Sequence, residues 1–192
     1  MTDKVSSLVQ RIRDLESELE EEFDQRRTVV KYTVKKHRVV FEKEARDRHL
    51  ALRQTLSSYL SGARPMVVLT APVIYSVIVP LVLLDLVVAL YQAICFPVYR
   101  IEKVRRTDYI SLDRGQLAYL NGLEKLNCMY CGYGNGLLAY AGEIAARTEA
   151  HWCPIKHAAR IKRPHGHYPE FVEYGDAEGF IRRKKNLHEA TK

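Results

Sequence analysis

The chain has 192 residues and a formal net charge of +7, length enough for one modest domain with extensions. A basic balance suits either nucleic acid or an anionic membrane surface, but no helix-turn-helix, RRM or KH signature accompanies it, so no nucleic-acid partner is expected. Met1 to Glu22 is rich in acids and has no continuous apolar run, so no secretory signal is expected there and insertion falls to an internal segment.

The charges partition along the chain. Residues 1–65 carry 14 Lys/Arg against 11 Asp/Glu, residues 97–192 carry 16 against 11, and Met66 to Phe96 between them holds a single charge, Asp85. Four regions follow: an N-terminal charged and amphipathic helical region (1–65), a membrane segment (66–96), a helical domain (97–180) and a basic tail expected to be disordered (181–192). The expected fold class is mainly α.

Val5, Leu8, Ile12, Leu15 and Leu19 recur at spacings of three and four over about two heptads. The seam then meets Glu22 and Arg26, which predicts a short self-associating helix and not a long rod. From Val29 to Phe41 the period changes. Val30, Tyr32 and Val34 alternate, Lys35-Lys36-His37 is polar, and Val39 to Phe41 are apolar, the pattern of a small β-hairpin. From Glu42 to Leu60 good helix formers dominate, with Ala45, His49, Leu52 and Leu56 in one stripe, predicting a basic amphipathic helix at the membrane interface.

MVVLTAPVIYSVIVPLVLLDLVVALYQAICF has 31 residues, where a straight span needs roughly 20. Two topologies fit: one tilted or kinked span, or a re-entrant helical hairpin broken at Pro72 or Pro80, with Pro97 closing the segment. Four basic residues lie within twenty positions before it and five after, so the flanks do not choose between them. Asp85 is expected to be protonated and hydrogen-bonded, with Tyr75, Tyr91 or Gln92 as partner; a proton relay or a channel lining would need a second intramembrane ionisable group.

In the C-terminal region Asp113 can cap a helix running to about Asn127. Cys128-Met-Tyr-Cys131 and a flexible turn, Gly132-Tyr-Gly-Asn-Gly136, follow. A second helix is predicted from Leu137 to Ala150, and Pro154 is placed to open a third through His157. Cys128 and Cys131, with Cys153 and His157 four apart on one helical face, make a Cys3His set suited to tetrahedral zinc, ahead of an iron–sulfur cluster. Buried reduced thiols or a Cys128–Cys131 redox pair are the competing readings, and Cys95 is expected to be a packing thiol. A cytosolic tail favours thiols and metal, an oxidising compartment a disulfide. Glu143 and Glu149 are candidate supporting or catalytic carboxylates among His151, His165 and His167, although Glu143 and Arg147 also read as a surface i,i+4 ion pair.

The run ARPMVVLTAPVIYSVIVPLVLLDLVVALYQAICFPVYRIEKVRRTDYI, with LNCMYC and HWCPIKH, resembles a group of small bacterial inner-membrane proteins. The resemblance covers about two-thirds of the chain. It implies a bacterial inner-membrane location and brings no activity or catalytic residues. The expected function is a membrane-anchored, non-enzymatic module whose metal-stapled helical domain, facing the cytoplasm, binds a protein partner or itself; the alternative is a membrane-associated oxidoreductase or metalloenzyme using the Cys/His site.

Overall fold

The computed structural model describes residues 3–29, 32–35 and 38–190. The chain is mainly helical and divides into two compact units, Met1–Ile78 with Ser111–Gly134, and Val79–Ile110 with Asn135–Lys192.

In the first unit, α1 (Asp3–Val29) is a single helix of 27 residues, longer than the two heptads predicted. Glu22 and Arg26 do not end it, because exposed charged side chains are good helix formers when nothing is packed against them. Val5, Leu8, Ile12, Leu15, Leu19 and Phe23 are all exposed along it. β1 (Tyr32–Lys35) pairs antiparallel with β2 (Arg38–Phe41), Tyr32 opposite Phe41 and Lys35 opposite Arg38, so the alternation from Tyr32 does mark a hairpin. Lys36 and His37, read as part of its polar centre, lie outside the described residues.

The single helix expected over Glu42–Leu60 is two: α2 (Lys43–Ala51) and α3 (Leu56–Ser61). Thr55 starts α3 anew, its hydroxyl accepting the Ser58 N–H at 3.4 Å. α4 (Pro65–Ser76) begins with proline at a first-turn position and contains Pro72 without ending there.

In the second unit, α5 (Ile78–Val98) continues the apolar run. The interruption between α4 and α5 falls at Val77, which keeps right-handed helical dihedrals (φ −63°, ψ −17°). Pro80, three residues on, explains the position: it has no N–H for the Ser76 carbonyl, and its ring crowds that carbonyl. Pro65 to Val98 is long and apolar enough to cross a membrane, and its most apolar stretch buries nothing inside the protein.

α6 (Gly122–Trp152) is the largest departure from expectation. Asp113 to Gln116 form only a 3-10 turn. The cap is Asn121, whose Oδ1 accepts the N–H groups of Leu123 and Glu124 at 3.0 Å each, while Glu124 Oε2 accepts the Asn121 N–H at 2.9 Å. This reciprocal pair is a capping box. From there the helix runs unbroken through Gly132-Tyr-Gly-Asn-Gly136, where a turn was predicted.

Those glycines serve close approach, not turning. A Cβ on Gly132 would lie 3.2 Å from the Ser111 carbonyl oxygen, within the first unit. In the second unit, a Cβ on Gly136 would lie 2.5 Å from the Tyr109 carbonyl oxygen and 3.0 Å from Ile110 Cα. Both obstacles at Gly136 are backbone and cannot swing aside. Gly136→Ala is therefore expected to destabilise the protein by about 1–3 kcal/mol. Gly142→Ala, with nothing within 4 Å of the added methyl, should be neutral or slightly stabilising, since alanine is the better helix former. Chemical denaturation of the two variants checks the contrast.

After Trp152 the predicted third helix does not form. Pro154 leads an extended segment, in which Lys156 N donates to the Val172 carbonyl and Val172 N to the Pro154 carbonyl, both at 2.8 Å. Of the tail expected to be disordered, 191–192 lie outside the described residues and 181–190 belong to α7 (Ala177–Ala190). Asp176 Oδ1 accepts the Gly179 N–H at 2.9 Å at its start, and Arg183 reaches back to the Glu170 carbonyl at 2.8 Å. Its Lys, Arg, Glu and Leu residues are strong helix formers.

Candidate functional site

The second unit is organised around α5. After Val98 the chain reverses at Arg100, a non-glycine residue at φ +56°, and runs back along the helix it has just left. Val104 N donates to Gln92 Oε1 at 2.6 Å, and Gln92 Nε2 donates to the Tyr140 hydroxyl on α6 at 2.7 Å. Gln92, Val104 and Tyr140 are all buried, beside Phe96, Leu137 and Ile144. Burial without partners would cost each polar group heavily, and one amide side chain satisfies two of them.

Further along the same return, Arg106 meets Asp85, Nη2 to Oδ2 at 2.7 Å and Nε to Oδ1 at 3.3 Å. Asp85 was expected to seek Tyr75, Tyr91 or Gln92 in protonated form; its partner is a guanidinium from the following loop. The expected partners are otherwise engaged. The Tyr91 hydroxyl lies 3.1 Å from Thr148 Oγ1, and in the first unit the Tyr75 hydroxyl donates to Asn127.

A second cluster joins α6 to the loop after it. Arg147 Nε donates to Glu143 Oε1 at 2.8 Å, and Arg147 Nη1 donates to the Glu102 carbonyl at 2.8 Å. His167 Nε2 is 3.1 Å from Glu143 Oε1, and His165 Nε2 is 2.9 Å from Glu149 Oε2. The Glu143–Arg147 pair is thus real but half-buried, not the solvated surface pair expected. Burial works to raise the Glu143 carboxyl, but its bonds to Arg147 and His167 and their charges outweigh it, holding the group below the ordinary glutamate range. Tyr109 titrates above its ordinary value, through burial first and the Glu143 carboxylate second.

A carboxyl with a lowered folded-state pKa stabilises above its unfolded value and loses that contribution as pH falls through the folded one. Glu143→Gln should therefore cost about 1–3 kcal/mol at neutral pH. The difference from the native chain should vanish on acidification, when both carry a neutral side chain. Thermal unfolding of the pair across the acid range reads this directly.

The four predicted metal ligands divide between the two units. Cys128, half-buried, and Cys131, exposed, sit one turn apart on α6 within the first unit. Cys153 is exposed just beyond the end of α6, and His157 follows in an extended loop, its N–H donating to the Tyr168 hydroxyl at 2.8 Å. The expectation rested on a turn at Gly132–Gly136 and a helix from Pro154, and neither forms. Among the described residues no group of three or more His, Cys, Asp or Glu side chains is placed to hold a metal ion. Cys95 is half-buried on α5. The His151 ring is tilted against Tyr99 and edge-on to Trp152, at 5.7 and 5.1 Å between centroids.

Sequence reasoning offered Gln92 only as a partner for Asp85, not for Val104 and Tyr140, and passed over Arg106. A glutamine inside a strongly apolar helix was the available signal for the first: an uncharged polar side chain there needs a buried partner. Nothing local marked Arg106 among its neighbours.

Fold and site define a mainly helical protein with one candidate membrane-spanning helix among the described residues. No protein family, curated protein or solved structure matches the chain.

Proposed function

We propose that the chain is a membrane-anchored binding module in which α5 lies along the bilayer surface, its outward side among acyl chains and its opposite side carrying the polar part of the second unit. The observation that carries this reading is the unequal surroundings of α5. Val79, Leu83, Leu86, Leu90, Ile94 and Val98 are each more than half exposed. The other side is covered by an irregular segment bearing Glu102, Lys103, Arg105 and Arg106. Hydrocarbon cannot accept irregular backbone and charged side chains, because it offers no hydrogen-bond partners. Lipid can therefore reach α5 from one side only, as for a helix lying in the interface.

A non-enzymatic role fits the polar clusters. Glu143 is charge-compensated by Arg147 and bonded to His167, and Glu149 is bonded to His165, so these groups tie the loop to α6. The bilayer is the first partner, and the polar side of the second unit is the surface left for a second. Cys128, Cys131, Cys153 and His157 play no part in this reading.

Spin labels placed singly at Leu83, Leu86, Leu90 and Ile94 in a Cys→Ser background test it by depth. Equal immersion at all four positions is the expected result. A depth that changes steadily along the helix would mean a span, and access to water-soluble relaxants at every position would mean no anchor.

A further inference from the structure

We propose that the loop from Lys156 to Arg163 binds the phosphate of anionic phospholipid headgroups. The inference rests on the interfacial placement of α5 and adds the lipid class that the second unit selects.

The loop encloses an open basin of about 1000 Å³ lined by Lys156, His157, Arg160, Lys162, Arg163 and, as its one acid, Glu173. Glu173 is already engaged: Lys156 Nζ lies 2.5 Å from its Oε1. Arg160, Lys162 and Arg163 then have no acidic partner among the described residues, although they fall within four positions of one another. Three uncompensated cations so close repel each other and create a local field that attracts anions. A guanidinium also presents paired donors matched to phosphate oxygens.

Both ends of the loop are fixed. One is held by the Lys156–Val172 and Val172–Pro154 backbone bonds at 2.8 Å, the other by the His165–Glu149 contact at 2.9 Å. The cations are thereby kept near one another, at the expense of a left-handed Arg163 at φ +141°. Such a conformation in a non-glycine residue persists only where the surroundings impose it.

Position points to lipid as the source of the phosphate. The loop begins four residues after Trp152, which is 55% exposed and packs edge-on against Tyr99 at 5.0 Å. Tyr99 directly follows Val98, where the outward apolar side of α5 ends. Tryptophan and tyrosine favour the headgroup level, so apolar helix, aromatic pair and cationic loop follow the order of acyl chain, interface and phosphate. Ile161, between Arg160 and Lys162, is 36% exposed and adds an apolar contact within the charged run.

Trp152 is the single tryptophan of the chain and reports on its own surroundings. The full chain is reconstituted in vesicles of equal phosphatidylcholine and phosphatidylglycerol, with bromine on the acyl chains of one lipid or the other. Brominated phosphatidylglycerol should quench Trp152 more strongly. The Arg160→Gln/Lys162→Gln/Arg163→Gln variant should lose the preference, since each cation near an anionic surface contributes about fivefold. The Arg182→Gln/Lys184→Gln variant, altered on α7, should keep it and shows whether general charge suffices. Equal quenching of the native chain by the two lipids, or loss of preference in the α7 variant, overturns the headgroup assignment while the anchor stands. Quenching by neither lipid overturns the anchor itself. A preference abolished by inorganic phosphate but not by chloride at equal ionic strength means that the loop takes free phosphate, which also overturns the assignment.

Discussion

Replacing Gln92 by leucine should lower the stability of the second unit by about 2–5 kcal/mol, because it strands two buried groups at once. Val104 N–H loses its acceptor and the Tyr140 hydroxyl loses its donor, and these two residues are 5% and 2% exposed. Leucine is close in volume and suits an apolar helix, so neither a cavity nor helix propensity explains a loss of that size. Tyr140→Phe is the calibrating variant. It removes one hydroxyl and leaves the Val104–Gln92 bond in place, so its cost should be about 1–2 kcal/mol. The double variant should cost less than the two singles combined, since both delete the same bond. Trp152 fluorescence during denaturant unfolding in detergent gives all three values. A Gln92→Leu variant as stable as the native chain would mean that water replaces the lost bonds and the interior there is not dry.

The second large effect is an asymmetry between the two partners of the ion pair. Arg106→Ala should cost about 2–4 kcal/mol, and Asp85→Ala markedly less. The side chain of Asp85 is 15% exposed, on a helix whose other neighbours are almost all apolar, whereas that of Arg106 is 49% exposed. Removing the arginine takes the guanidinium from a carboxylate poorly placed to recruit water. Removing the aspartate leaves a cation that already reaches solvent, and it makes the helix uniformly apolar. Denaturant unfolding of the two single variants orders them; the reverse order would mean that water reaches Asp85 from the lipid side of α5.

Some of this was legible along the chain. A run of 31 residues holding one charge can be little other than a buried or membrane helix, and it lies within Pro65–Val98, the one stretch among the described residues long and apolar enough to cross a membrane. The alternation from Tyr32 marked a hairpin, since a period of two suits a pleated strand. Asn121-Gly-Leu-Glu124 carried its capping box in plain view and was passed over in favour of Asp113. Composition misled at Gly132–Gly136 and in the tail. Glycines read as a turn where the backbone of Tyr109 to Ser111 required them in a helix, and a basic run read as disorder where an Asp176 cap and strong helix formers made α7.

Apolar segments, strand alternation and possible helix starts can be read from the residues alone, because those signals act within a few residues of one another. That Gln92 meets Val104 and Tyr140, and that Asp85 takes Arg106 from a loop 21 residues on, emerges only in the folded second unit. These outcomes depend on where the chain reverses after Val98 and on α6 continuing without a break. Both are set by packing between distant segments, whose energies no local pattern encodes.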